Sequence, residues 1–389
     1  MIRKLVLEKA DRIYHLPSVV DDFLPHKSKR KFIRHEILDL ARFEWISSPD
    51  SQSEPEGLNT STETDLDSLY RKTADWYQNR FGTKINPAKE IYIGGSIRQI
   101  LVLFSLAYLN PGDLLLIPDP GIWHYRAAAA ISSAEAVPYH ILERNGFKPA
   151  LSGFSESLIR VARGMVLNSP HNPSGQSITK EDLTKLVRMA GKNNLILILD
   201  HAFEGLAENE QSSSVFSVPG GRKVGLELYS YSYNFANSFP SLGFAIGQPA
   251  LISALKHIAS RFGIYPSSGQ INRATGAFSD YSERLNKLKE MYAHNRYLAD
   301  QLCDKLRIMP GQIRQGPFYW AKLPGRKQSR RFCRLLYLKC GILALPGISF
   351  GENGEGYIRF SLTPQSEVYE KAISVAGGFF QKARKSDDG

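Results

Sequence analysis

The stretch "SYSYNFANSFPSLGFAIG", residues 230–247, decides how this chain is read. It opens on small hydroxyl residues, Ser230 and Ser232, crosses a short spacer and closes on glycines set among apolar residues. Just before it, "GLELYS" (225–230) is a continuous apolar run, and "GFAIG" (243–247) is another. Further upstream come "NLILILD" (194–200), "RGMVLNS" (163–169) and "EAVPYHI" (135–141). Several of these runs are continuous rather than alternating, which is the signature of strands covered on both faces. Helical segments such as "TKEDLTKLVRMAGKNN" (179–194) lie between some of them. Upstream again, "EIYIGGSIRQILVLFSLAYLNPGDLLLIPDP" (90–120) reads strand, glycine turn, helix, Asn-Pro-Gly turn, strand. Repetition of strand, helix and strand predicts an α/β fold, a mostly parallel sheet flanked by helices.

Beyond residue 268 the pattern changes. "GQINRATGAFSDYSERLNKLKEMYAHNRYLADQLCDKL" (269–306) is helical, and short strands follow around "GPFYWAKL" and "YIRFSL". A chain of 389 residues is long for one core, so the reading is a large domain plus a smaller α+β domain. The expected division is an N-terminal segment, 1–46, joining the small domain, a large domain over 47–267, and a small C-terminal domain over 268–389.

The composition, 42% hydrophobic and 22% charged, is that of a globular chain. No apolar run is long enough to span a bilayer, and no signal-peptide core precedes the first helix. Cys303, Cys333 and Cys340 are odd in number and form no CxxC pair, which argues against a disulfide framework or a metal site. A reducing cytoplasm is the expected compartment. The net charge of +11 concentrates in "KSKRKFIR" (27–34), "GRKQSRRFCR" (325–334) and the tail "KARKS". Without a nucleic-acid module these clusters read as solvated helix faces, though attraction of an acidic ligand stays open.

Three segments in order carry a resemblance. They are "NSPHNPSGQ" (168–176), "LDHAF" (199–203) and the opening stretch, supported by "NPGDLLLIPDPG" (110–121) and "LPGISFGENGEGYIRFSL" (345–362). The chain resembles the fold-type-I pyridoxal-phosphate-dependent aminotransferases of class I/II over nearly its whole length. The resemblance implies that Asp200 keeps the cofactor's pyridine nitrogen protonated, so that the ring can act as an electron sink. Asn172 would donate to the ring hydroxyl. Gly95 and Ser96 would form the backbone phosphate cup, with Ser230 and Ser232 beside it. Arg359 would grip a substrate carboxylate through two parallel hydrogen bonds. Phe43 and Trp123 fall on the substrate side, and a homodimer is implied. Each residue also has an ordinary reading: a helix cap for Asp200, a turn for Asn172, an ion pair for Arg359.

Several positions depart from the pattern. The family's Schiff-base lysine maps onto Tyr233, and no lysine occurs from Val224 to Leu255. The phosphate arginine maps onto Ser241, the ring-hydroxyl tyrosine onto Phe203 and the stacking aromatic onto Ile122, with Trp123 one residue late. The glycine beside the substrate maps onto Phe43, and no tyrosine lies between His15 and Leu69. A phenol forms no Schiff base, and loss of a general acid/base typically costs about 10²–10⁴-fold in rate. The sequence therefore predicts that ordinary transamination is improbable and that no cofactor is bound covalently, leaving pyridoxal phosphate itself doubtful. The expected function is a divergent enzyme acting on a carboxylate-bearing small molecule, with Tyr233 and Asp200 as its catalytic pair. The alternatives are an inactive pseudoenzyme or regulatory subunit, and an enzyme holding pyridoxal or pyridoxamine phosphate noncovalently. A nucleic-acid binder ranks last.

Overall fold

The structure, a computed structural model, describes residues 36–42, 63–150, 153–207, 213–237, 242–313, 315–325 and 328–379. Phe43 and Ser241 lie outside the described residues, as do the basic clusters at 27–34 and 382–386.

The described chain forms twelve strands in three sheets. The central sheet has seven strands: β2 (Ile91–Gly94), β3 (Leu114–Asp119), β4 (Glu135–His140), β5 (Ala162–Asn168), β6 (Ile196–Asp200), β7 (Gly225–Ser230) and β8 (Gly243–Gly247). Their spatial order is β2-β8-β7-β6-β5-β3-β4. Neighbours pair in parallel except at β8, which is antiparallel to both β7 and β2. Two reversals cancel, so β2 runs in the same direction as β5, β6 and β7. The carboxyl ends of these strands therefore share one edge of the sheet. Pro138 is tolerated because β4 is an edge strand that pairs with β3 alone.

Alternation along each strand sends side chains to opposite faces. Val166, Ile198 and Leu228 pack with Leu101, Phe104, Tyr125 and Leu255, beneath the helices Ile97–Tyr108, His124–Ile131 and Pro249–Arg261. Met165, Leu197 and Leu199 pack with Trp76, Tyr77, Leu183 and Leu186, beneath the helices Glu63–Phe81 and Lys180–Asn193. Both faces are covered, which explains why β7 is buried at every position. The helix Glu63–Phe81 stops where its periodicity stops, at Gly82, whose φ of 67° suits a residue without a Cβ.

The C-terminal third builds the antiparallel sheet β11-β12-β9 from β9 (Phe318–Lys322), β11 (Leu345–Pro346) and β12 (Tyr357–Ser361). A parallel pair joins β1 (Leu38–Asp39) to β10 (Ile342–Leu343), so residues from before the central sheet meet the C-terminal ones. Helices Tyr281–Leu306, Ser329–Cys340 and Ser366–Ala376 close this second core. The two parts are tied near the carboxyl edge of the central sheet. The Gly121 amide donates to the Phe350 carbonyl, 2.7 Å, and the Asn353 amide to Asp119 Oδ1, 3.2 Å.

Candidate active site

Each parallel strand ends in a polar residue once its apolar run is spent, and these residues are brought together at the carboxyl edge. Clefts of open α/β sheets form there because the loops diverge beyond the strand ends. Asp200 closes β6, and β5 ends opposite it at Asn168. Asp200 is 1% exposed; its Oδ2 accepts from the Tyr125 hydroxyl at 2.7 Å and its Oδ1 from the Ala202 amide at 2.9 Å. Burial pushes the Asp200 carboxyl above the usual range, while the Tyr125 hydroxyl, the Ala202 amide and His201 pull it back. A carboxylate has about four lone-pair positions, so two donors leave capacity for a third.

Asn168 and Asn172 connect Asp200 to the second sheet. Asn168 donates through Nδ2 to the Asp200 carbonyl at 3.0 Å and accepts the Asn172 amide at 2.7 Å. Asn172 Oδ1 in turn accepts from Arg359 Nη1 at 2.9 Å. Arg359 is the charged residue of β12, 6% exposed, and its Nη2 donates to the Ala41 carbonyl at 3.1 Å. Its guanidinium lies 4.0 Å from the centre of the Phe318 ring and 5.0 Å from that of Phe350. The guanidinium Nε is buried with no partner among the described residues. Neutral acceptors and ring faces hold this cation, and burial lowers its pKa to about 9. A buried charge so poorly compensated is costly to leave alone and well suited to an incoming anion.

The remaining candidates surround this line. Ser230 ends β7 and caps the short helix Tyr231–Asn234, its Oγ accepting from the Tyr233 amide at 3.4 Å. Ser232 is buried on the same turn. Ser96 caps the helix Ile97–Tyr108 by accepting from the Gln99 amide at 3.2 Å, and the Gly95 amide donates to Gln99 Oε1 at 2.7 Å. The Tyr233 ring lies 4.8 Å from that of Phe203, tilted by 31°. Burial raises the Tyr233 phenol above its usual range; Arg98 opposes the rise and Asp200 adds to it. Trp123 is 38% exposed, with the His124 ring 4.1 Å away. Burial, helped by Arg98, pulls His124 down to about 3, so the imidazole is neutral.

Tyr125, Asn168 and Arg98 escape a reading of the sequence. Tyr125 sits in "HYRAAAAI", where a lone aromatic among alanines looks like packing. Asn168 looks like the end of a strand.

The family described as aminotransferase class I and II matches residues 36–375. The chain belongs to this family. It is 29% identical to the LL-diaminopimelate aminotransferase of Halothermothrix orenii over 392 residues, covering 94% of this chain and 97% of that protein. The Aquifex aeolicus protein of the same name is 26% identical, with 95% and 99% covered. Among solved structures, an aminotransferase from Staphylococcus aureus superposes with a TM-score of 0.82 at 22% identity, covering 96% of this chain and 99% of that one.

These relatives correct three expectations. The sequence predicts a divergent or inactive protein, finds ordinary transamination improbable and expects no covalently bound cofactor. Relatives matched along almost the whole chain are aminotransferases, and they overturn all three. Each exchanged position counts as a separate loss when the motifs are compared one by one. The fold instead keeps one connected unit, from Tyr125 through Asp200, Asn168 and Asn172 to Arg359. The readings of a missing catalytic lysine and of a pseudoenzyme gain no support from the relatives. Residue 233 is nevertheless a tyrosine and supplies no amine.

Proposed function

We propose that the protein is a pyridoxal-phosphate-dependent aminotransferase that moves an amino group between a carboxylate-bearing amino acid and a 2-oxo acid. The observation that carries this reading is the buried, uncompensated Arg359, linked through Asn172 and Asn168 to the buried Asp200. An arginine fork matches a carboxylate bidentately, and Nε is the donor still without a partner among the described residues. The relatives named LL-diaminopimelate aminotransferases support an α-amino acid as donor.

Residues on the ring-nitrogen, ring-hydroxyl and phosphate sides fit the cofactor, whereas Tyr233 supplies no linking amine. Asp200 keeps lone pairs for a protonated ring nitrogen, and a cation there would offset the burial that disfavours its charge. Asn172 Nδ2 has no partner among the described residues and would serve the ring hydroxyl. Ser96, Ser230, Ser232 and the amides at Gly95 would serve the phosphate, the Gly95 amide after release from Gln99. When bound, the cofactor supplies an electron-withdrawing ring. The chain's own part is to hold that ring charged through Asp200 and to orient the substrate carboxylate through Arg359. Trp123, at the rim, and Phe43 would border the substrate, and two copies of the chain would form the dimer typical of the family.

No lysine lies within residues 224–255, so a linking amine, where one is used, would come from a lysine outside that segment. Borohydride reduction of the protein with pyridoxal phosphate, followed by peptide mapping, identifies it. The expected result is a single labelled lysine whose replacement abolishes amino transfer. Label on no lysine, with no transfer from any amino acid donor, would overturn the proposal.

A further inference from the structure

The buried phenol of Tyr125 is the side chain bonded to Asp200 Oδ2, at 2.7 Å, and it comes from a different element, the helix Ile97–Tyr108 being followed by β3 and then the helix His124–Ile131. Tyr125 is 1% exposed and its ring is packed in the core between that helix and the sheet. A buried phenol donating to a buried carboxylate supplies a hydrogen bond that a phenylalanine in the same space could not, and without it the Asp200 carboxylate would lose one of its two donors.

We infer that Tyr125 is a positioning residue of the active site, whose hydroxyl fixes Asp200 in its charged form and aims the remaining lone pairs at the bound ring nitrogen. The inference rests on the proposed function, in which Asp200 faces that nitrogen. The bond uses one lone pair of Oδ2, and the Ala202 amide one of Oδ1, so the carboxyl is held at both oxygens and cannot rotate freely. Burial and the Asp200 charge hold the Tyr125 phenol well above its usual range, so it stays a donor across the working pH range. The Tyr125 hydroxyl is also the largest influence lowering the Asp200 carboxyl against burial. The other titratable groups around the pair are His201 beside Asp200, Tyr233 from the turn after β7 and Tyr139 of β4 beside Tyr125. Tyr139 is committed to the Val166 carbonyl at 2.7 Å and His201 Nδ1 to the Ser169 carbonyl at 2.9 Å, so neither is a ready replacement.

The test is the affinity of the purified protein for pyridoxamine phosphate, which needs no lysine, measured against pH for wild type, Tyr125→Phe and Asp200→Asn. Without its phenol donor Asp200 takes up a proton at higher pH. Tyr125→Phe should therefore bind more weakly by roughly tenfold at the acidic end, with the gap to wild type closing as pH rises. A purely structural role would give a gap that does not depend on pH. Thermal melting confirms that the variant folds. Carbon NMR of labelled aspartate without cofactor provides a second reading, in which the Asp200 titration moves to higher pH in Tyr125→Phe. An unmoved titration, or a pH-independent gap while Asp200→Asn binds weakly, would overturn the inference and leave the proposed function intact. If Asp200→Asn binds like wild type, or wild type does not bind at all, the proposed role of Asp200 fails and the inference falls with it.

Discussion

Arg359 shows how one residue can be legible in a sequence while its surroundings are not. In "YIRFSL" it is the one charge in an apolar strand, so a buried cation is predictable from the sequence. The structure adds that its partners are the Asn172 and Ala41 oxygens and two aromatic faces. Replacing Arg359 by alanine should weaken carboxylate substrates by about 2–5 kcal/mol, read as a rise in KM or a loss of binding. Arg359→Lys should recover little, because an ammonium cannot reproduce the planar fork. Unchanged affinity in Arg359→Ala would make the arginine structural. Asp200 stands where an apolar run gives way to polar residues, while Asn172 is marked by the Asn-Pro-Ser-Gly turn that carries the resemblance. Tyr125 is not legible, since its bond to Asp200 joins residues 75 apart in the sequence.

At the scale of elements, continuous apolar runs identify the strands of the central sheet, because burial on both faces removes polar alternation. What they cannot reveal is the antiparallel β8. Direction depends on the connection after residue 230, where the chain turns through the helix Tyr231–Asn234 and comes back beside β7. Elements also carry polar contacts that periodicity hides. Arg80, in the last turn of the helix Glu63–Phe81, donates through Nε to Glu204 Oε1 at 2.8 Å, and Glu204 is 1% exposed. Arg80→Ala would leave that carboxylate buried without its cation and should destabilise the protein by about 3–5 kcal/mol in urea unfolding. A change below about 1 kcal/mol would mean that Glu204 reaches water or another donor once the arginine is gone.

Across the whole molecule, the carboxyl edge of the central sheet is also where acid should act. His171, in the turn after β5, is 4% exposed, with Nδ1 against Ser174 Oγ at 2.7 Å and Nε2 against the Pro120 carbonyl at 2.9 Å. Burial lowers it to about 4, so it is neutral in the fold, whereas an unfolded histidine takes a proton near its ordinary value of 6.5. Because the folded value is the lower one, this contribution is complete above pH 6.5 and is lost as pH falls towards 4. At about 1.4 kcal/mol per unit the loss is about 3 kcal/mol. Equilibrium unfolding across that window should show it, and His171→Gln should flatten the slope; an equally steep slope in the variant would assign the acid sensitivity elsewhere.

The family and its sheet are legible in the ordered motifs, because the residues that end strands are fixed by the architecture. Activity is not legible in the same way. Substituted positions such as Tyr233 and Phe203 stand out one at a time in the sequence, whereas the hydrogen-bonded line from Tyr125 to Arg359 exists only once the fold joins four separate segments. The measurement that bears most directly on activity is transfer of isotope-labelled nitrogen from an amino acid donor to a 2-oxo acid, in the presence of pyridoxal phosphate. Labelled product that disappears with Asp200→Asn is the predicted result. Absence of labelled product across donors that include LL-diaminopimelate, from folded protein with cofactor bound, would contradict it.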